Sequence, residues 1–493
     1  MEDNLFAEDG FLFTNESLSF VWKSIFNPYA GYIHLYPRLI SILAVQFDLY
    51  YLPIIFFIAW ICAVLYCSYI VFEFIYKQTN SILVSINVPV LILLQPHSAE
   101  VFFNITCAQW FLALPLIIIL IDKGYKINYK NFFILILLGL TGPFSALLLP
   151  VLFLNILFKK DLKENYLKYI VIILTASIQV YFMVKSNRIA GDIDKEIINW
   201  LKSFYTFLTF GTKRYFAILS LLLWIFIFVY FIKSLYYICK QKFTKNTINI
   251  FLIVICIFIY YFAGLWTAKQ SPTILNPLGP GARYFFVPYA LFVIVIALIT
   301  KNSRLLYFIF FIILIIDIEH FNKIYRQSLN FDSFVWFSKY VENINIPIHP
   351  QWPTFPGWHI EYKNKDIKKI IPIRIENKNL KLVNATLLSD SSIKTINKDA
   401  QLLFDMPCQC SKSKHIGLEI SISRENEGWS QIFYTSGIES FSEEKSLRRY
   451  YPSGKIKMQF AFKNDNIKRV RIDPTEKDER IYIDYIKIYC EHK

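Results

Sequence analysis

Glu8-Asp9-Gly10 sets two adjacent carboxylates before a glycine, among apolar residues, in a chain whose later apolar runs approach the length of a bilayer crossing. Carboxylates in that setting can serve as a general base, as metal ligands, or as a solvated tail. The glycine lets the backbone turn sharply and present them. Further on, Tyr29-Ala30-Gly31-Tyr32 leads into His34 and Arg38, which stand four apart and would share one face of a helix. An acid, an imidazole and a guanidinium near one membrane surface suit an anionic, hydroxyl-bearing substrate. Taken alone, an acidic pair near a chain start is more often merely hydrated. Its company gives it meaning.

Other candidates sit between the apolar runs. His97-Ser98-Ala99-Glu100 joins two of them, and Asn104 opens the second. Ionisable groups at a membrane boundary are expensive to place, so function is a fair default there. The plainer reading is that His97 and Glu100 end helices at the interface. Arg283 and Tyr284 follow Gly279-Pro280-Gly281-Ala282 and open an aromatic run, with Lys269 in the same polar loop. A guanidinium fork there fits a phosphate or pyrophosphate, or else snorkels to headgroups. Arg188, Lys213 and Arg214 flank the loop 187–214 and read as ordinary interfacial cations.

Membrane helices must position these groups. The 493 residues are 55% hydrophobic and 18% aromatic, and only 18% are charged. Mean hydropathy is +0.39. That is not a soluble globular composition. The net charge of +15 could suggest nucleic acid, but the lysines fall mostly in short loops between apolar runs and in the tail, the pattern of positive-inside topology plus a basic outer domain. Residues 1–20 have neither a basic start nor a continuous apolar core, so they do not read as a signal peptide. Residues 15–49 read as short interfacial helices, with Trp22, Tyr29, Tyr32 and Tyr36 at headgroup level. Apolar runs follow at 50–72, 81–96, 103–121, 132–158, 168–186, 216–238, 248–267, 285–300 and 305–318. About nine to ten membrane segments are expected, the shorter ones needing local thinning of the bilayer.

Lysine-bearing loops at 122–131, 159–168, 239–247 and 301–304 read as cytoplasmic. The run between the first two must then leave and return on one side, and Gly139-Leu140-Thr141-Gly142-Pro143-Phe144 breaks it, so two short helices with an outward turn are expected. Alternation puts 1–49, 97–102, 187–214, 268–284 and the tail outside, and all the candidate residues fall on that face.

Beyond residue 319, Pro347, Pro350, Pro353 and Pro356 punctuate an aromatic linker, and alternation then predicts strands through Ile416–Ile422, Ile456–Phe462 and Ile481–Ile483. These read as a β-sandwich. The expected domains are an acidic loop with interfacial helices (1–49), a transmembrane helical domain (50–318), a linker (319–359) and an extracytoplasmic β-sandwich (360–493). Five cysteines, Cys62, Cys67, Cys107, Cys239 and Cys256, lie in or beside apolar runs as packing residues. A bond from Cys490 to Cys408 or Cys410 is open.

Together these features resemble the polytopic glycosyltransferases of the GT-C superfamily, and within it a subgroup of bacterial membrane proteins. The residues carrying the resemblance are Glu8-Asp9-Gly10, Tyr29-Ala30-Gly31-Tyr32 with His34-Leu35 and Pro37-Arg38, Leu140-Thr141-Gly142-Pro143-Phe144, and Arg283-Tyr284-Phe285-Phe286. Gln431-Ile432-Phe433-Tyr434 and Arg471-Ile472-Asp473-Pro474 resemble the β-domain appended to some sugar transferases. The resemblance implies a bacterial inner-membrane enzyme that moves a sugar from a polyprenyl-phosphate donor to a saccharide or lipid-linked acceptor, with membrane lipid around it and no nucleic acid. It implies Asp9 as base, with Glu8 the alternate. Arg283, Arg38, His34, Glu100, His97 and Tyr284 would bind substrate or donor phosphate. Members differ in whether they need a divalent metal, Mg or Mn, and the residues leave both open. The family places a membrane helix before the acidic loop, so either the acidic start crosses unaided or a helix precedes Met1. Rival readings are a flippase for lipid-linked saccharides, in which a broken helix is common, and a non-catalytic envelope protein that binds glycan through its tail.

Overall fold

A computed structural model describes the chain apart from residues 1–4, 96–99, 126, 187–191, 213–214, 241–243, 302–327, 351–354, 438–439 and 492–493. Two compact units emerge. One gathers Met1–Val21, Ser41–Ile55 and Arg326–Lys493; the other gathers Trp22–Ile40 and Phe56–Tyr325.

The second unit is helical. Among the described residues, five helices are long and apolar enough to cross a membrane: Leu49–Thr79, Leu162–Lys185, Tyr215–Cys239, Asn246–Thr267 and Arg283–Thr300. The runs expected at 81–96 and 103–121 form shorter helices, Ile82–Leu93 and Ala108–Ile121. The run 305–318 lies outside the described residues. At 132–158 the chain breaks as its Gly and Pro dictate, into Tyr129–Gly139 and Leu149–Lys159 with a short turn of helix between.

Every side chain of the Ala108–Ile121 helix is buried. Its last carbonyls therefore need partners other than water. Asn155 donates to the Leu120 carbonyl at 3.2 Å, Lys159 donates to Ile121, and Lys168 donates to Asp122 at 3.1 Å. Lysines that read from sequence as plain loop charge thus also cap a buried helix, where cations are favoured.

The first unit holds the strands. A five-stranded antiparallel sheet runs in the order Ser446–Tyr451, Gly428–Thr435, Arg469–Asp473, Gln401–Asp405 and Lys381–Val383. A six-stranded sheet is centred on His415–Arg424, between Gly454–Lys463 and Arg480–Tyr489. Their apolar faces meet: Tyr434 of one sheet stacks on Phe462 of the other at 4.6 Å. The three alternating stretches seen in the sequence are the three longest strands of the larger sheet, Gly454–Lys463 at its edge and the other two inside it. Cys490 is bonded to Cys410, tying the last strand to the turn at 408–410.

The other face of the larger sheet carries the helix Phe331–Phe337, which lies inside the stretch read as linker, as does the strand Asn343–Pro347. Trp336 stacks on His415 at 5.7 Å, and Ser333 Oγ lies 3.0 Å from His415 Nδ1. Trp336 Nε1 and Tyr340 Oη each donate to Glu491 at 3.1 Å. The Trp336 hydrogen bond is the main cause holding the Glu491 carboxyl below its usual range. Burial, aided by Lys414 and Lys463, holds the His415 imidazole below its usual value, with Glu491 opposing. Both folded-state values are depressed, so both contributions are complete above the unfolded values and are lost as pH falls through the folded ones. Acidification from pH 7 to about 4 should therefore loosen the helix, read as a change in Trp336 fluorescence that Trp336→Phe removes. A Trp336 signal constant across that range counts against the coupling.

Candidate functional site

The acidic segment belongs to the strand-bearing unit. Phe6 pairs with His349 as a short parallel bridge, and His349 N donates to the Leu5 carbonyl at 3.1 Å. Ala7 takes φ +43°, which turns the chain into a π-helical stretch Asp9–Thr14. Asn15 then reads the edge of the strand His359–Lys363: its amide donates to the His359 carbonyl at 3.2 Å and its Oδ1 accepts from Glu361 N at 2.9 Å. Phe11 packs edge-on against Trp358 at 5.2 Å. Asp9 is 1% exposed, and Glu8 is partly exposed.

Gly10 corrects the expectation of a glycine turn. It is absent from the residues of positive φ, and a Cβ there would meet the Ile348 side chain at 2.6 Å. Close packing, not turning, requires the glycine; the turning residue is Ala7.

The remaining described candidates belong to the helical unit. Tyr29 and Tyr32 exchange two backbone hydrogen bonds across Ala30 and Gly31, whose φ values of +55° and +86° make a type I′ turn. His34 is buried, stacks on Tyr32 at 4.6 Å and bridges to Thr141. The helix Leu35–Ala44 begins next, and the Arg38 N–H donates to the His34 carbonyl. Arg38 itself is buried. The first two amides of that helix are capped by the break in the other motif: Leu35 N donates to the Leu140 carbonyl and Tyr36 N to Thr141 Oγ1, both at 3.1 Å.

A residue the sequence reading passed over holds the two motifs together. Gln179 Oε1 accepts from Ile33 N at 2.8 Å, and its amide donates to the carbonyls of Ile33 (3.1 Å) and Gly142 (2.9 Å). Gly142 N donates to Ile33 at 3.0 Å. The available signal was a lone amide inside the apolar run 168–186.

Glu100 and Arg283 come together. The guanidinium reaches the carboxylate at 2.9 Å, and the Arg283 backbone N–H donates to its other oxygen at 3.1 Å. Glu100 thus places negative charge at the N-terminus of the Arg283–Thr300 helix. Asn104 shapes the preceding turn, donating to the Glu100 carbonyl at 2.8 Å. His97 lies outside the described residues.

Beside this pair is a cavity of about 280 Å³ whose walls include Tyr32, Trp110, Phe144, Tyr260, Trp266 and Tyr284. Gly264 lets the helices Lys245–Thr267 and Arg283–Thr300 close on one another, since a Cβ there would stand 2.8 Å from Tyr284. Two wall aromatics carry cations: Arg283 lies 5.3 Å over Tyr284, and Lys269 lies 5.4 Å over Trp266. Among the described residues, no group of three or more His, Cys, Asp or Glu side chains gathers as metal ligands.

No protein-family model matches the chain, and no curated protein matches it. Three matching solved structures are carbohydrate-binding modules. BiXyn10A CBM1 in its apo form is 16% identical, over 25% of this chain and 91% of that one, with a TM-score of 0.19. CBM6cm-2 from Cellvibrio mixtus lichenase 5A, in complex with cellotriose, is 13% identical over 25% and 100%, with a TM-score of 0.20. CBM29_1 from Piromyces equi is 12% identical over 24% and 85%, with a TM-score of 0.18. Likeness at that level carries no argument about activity.

Replacing Gln179 by Leu should leave buried peptide groups of Ile33 and Gly142 short of partners, at a cost of about 2–4 kcal/mol. The measurement is a thermal melt in detergent, where Gln179→Leu should unfold well below wild type. A melt matching wild type would remove the clamp from the account.

Proposed function

We propose that the chain is a membrane glycosyltransferase of the GT-C class. It moves a sugar from a polyprenyl-phosphate donor to an envelope glycan or lipid-linked acceptor on the extracytoplasmic face of a bacterial inner membrane. One observation carries the reading: an apolar, aromatic cavity flanked by Arg283 and Lys269. Its walls suit an isoprenoid chain and its cations suit a phosphate, which is the make-up of such a donor.

In the proposed reaction, Asp9 takes the proton of an acceptor hydroxyl as that oxygen bonds to the anomeric carbon. The bond from that carbon to the phosphate oxygen breaks, and polyprenyl phosphate leaves with the electron pair, its charge met by the cations. Glu8 is the alternate base. Glu100 fixes Arg283, Tyr284 carries it over the cavity wall, His34 stacks on Tyr32 of the turn, and His34 and Arg38 keep their proposed substrate-binding roles. His97, from the same polar loop as Glu100, keeps its proposed substrate role.

Two observations support the sidedness. The Ala108–Ile121 helix runs from Trp110 in the cavity wall to an end capped by Lys159 and Lys168. The positive-inside rule assigns that lysine end to the cytosol and hence the cavity to the outer half. The Cys410–Cys490 bond supports an oxidising compartment for the tail.

The experiment is transfer of radiolabelled sugar from polyprenyl-phosphate donors to membrane acceptors. Asp9→Asn should lower turnover on the order of 10²–10⁴-fold with donor binding intact, while Arg283→Ala and Lys269→Ala raise the donor concentration needed. Glu8→Gln tells which acid acts. Turnover unchanged in both acid variants, or no transfer by the wild type, would sink the enzyme reading. Sidedness is checked separately with Leu387→Cys, an exposed tail position. A membrane-impermeant maleimide should label it on intact spheroplasts; labelling only after lysis would place the tail in the cytosol.

A further inference from the structure

The outer face of the larger sheet changes character along its length. At one end Gly417 makes room for Phe337, whose ring would stand 2.4 Å from a Cβ at that position. Phe337 also packs 5.0 Å from Tyr489, so that end is sealed by the helix Phe331–Phe337. Two residues along each strand, the same face turns polar. Glu419 stands between Gln459 and Lys487, and Ser421 stands between Lys457 and Tyr485. Beside this polar stretch the strand Asn343–Pro347 leaves an open cleft of about 260 Å³. Its polar lining is Glu342, Asn343, Asn345, Glu419, Lys457 and Gln459, with Val341 and Ile344 as the apolar part.

Glu419 is the centre of the cleft. It is 7% exposed, a cost a carboxylate bears only when it is well bonded. Tyr485 Oη donates to Oε1 at 2.9 Å, and the Gln459 amide approaches Oε2 at 3.4 Å while donating to the Asn343 carbonyl at 3.1 Å. A carboxylate has about four acceptor positions. Two are used by these neighbours, which fix its plane and leave acceptor capacity at a cleft. Burial, together with the hydrogen bond to that carboxylate, holds the Tyr485 hydroxyl well above its usual range, so it stays a donor.

We propose that this cleft binds a neutral saccharide. A sugar presents adjacent hydroxyls that each donate and accept, and planar carboxylate and amide groups beside a lysine match that pattern. Two carboxylates, Glu342 and Glu419, against one lysine, Lys457, disfavour phosphates and uronates. The mainly polar lining disfavours a lipid chain. A divalent cation would prefer oxygens alone, whereas the central carboxylate is held by an amide and a phenol donor. The inference rests on the glycan reading for its biological role, but not on the transfer step.

The test uses the full chain in detergent and saturation-transfer NMR with cellotriose, maltotriose, mannotriose and a uronate trimer at millimolar concentration. At least one neutral trisaccharide should show transfer to its ring protons. Lys457→Ala and Asn345→Ala should each weaken it by about tenfold, the worth of one good polar contact. Lys381→Ala, on the edge of the other sheet, and Asp9→Asn should leave it unchanged. Glu419→Gln should abolish it, with circular dichroism matching wild type. Transfer to no neutral trisaccharide overturns the proposal. So does full affinity in both rim variants, or tighter binding of the uronate trimer. Loss of glycosyl transfer in Asp9→Asn with saccharide binding intact separates this site from the catalytic reading.

Discussion

The helical unit depends on satisfying peptide groups that leave regular structure inside an apolar interior. Ile33 ends a tight turn and Gly142 lies in a broken helix, so neither has a full set of intrahelical partners. Water is excluded, and a buried peptide group without a bond costs several kcal/mol in such surroundings. Gln179 answers both with one amide, and the remaining bonds run directly between the segments. Once that knot is tied, Tyr32, Pro143 and Phe144 have fixed places on the cavity wall. The cavity is therefore first a consequence of backbone accounting, whatever it is proposed to bind.

The same rule governs the far end of the Ala108–Ile121 helix. There the carbonyls of Leu120, Ile121 and Asp122 are met by Asn155, Lys159 and Lys168. Ammonium groups are suited to this twice over, as donors and as charges opposed to the helix dipole. Lysines chosen for topology can thus also be structural, with no contradiction between the roles. A Lys168→Arg change would keep the charge rule and still disturb the cap, because a planar fork does not fill the place of a compact ammonium.

What the sequence made legible was whatever has a local period or a local breaker. Alternation located the three longest strands of the larger sheet, since one face packs on the opposing sheet and period two survives. Gly139, Gly142 and Pro143 located the broken helix. Glu100 and Arg283 were visible as boundary charges, though not as each other's partners, because 183 residues separate them. Gln179 was hidden in plain sight: nothing within its own helix tells what its amide is for. The strand Asn343–Pro347 was obscured by the prolines around it, which suggest a linker more readily than a strand. Gly10 was legible as important and misread in cause, since the Ile348 that crowds it is far along the chain.

That last distance has a consequence for how the acidic segment acquires its shape. Asn15 and the His359 carbonyl it binds are 344 residues apart. Ala7 holds a left-handed conformation that costs about 1 kcal/mol or more, and a six-residue π-helical stretch has little stability of its own. Neither is explained by local preference. Both are explained by the strand His359–Lys363 and its neighbour, which supply backbone partners at His349, His359 and Glu361 and the side chains of Ile348 and Ile360. Contacts of such separation form late, because chain closure must precede the bonds that compensate it. The carboxylate of Asp9 is therefore set in place by a part of the chain that, read from the sequence, looked like an appended module. The base that Asp9 is proposed to be would gain from such a mount, since two paired strands are stiffer than a free loop.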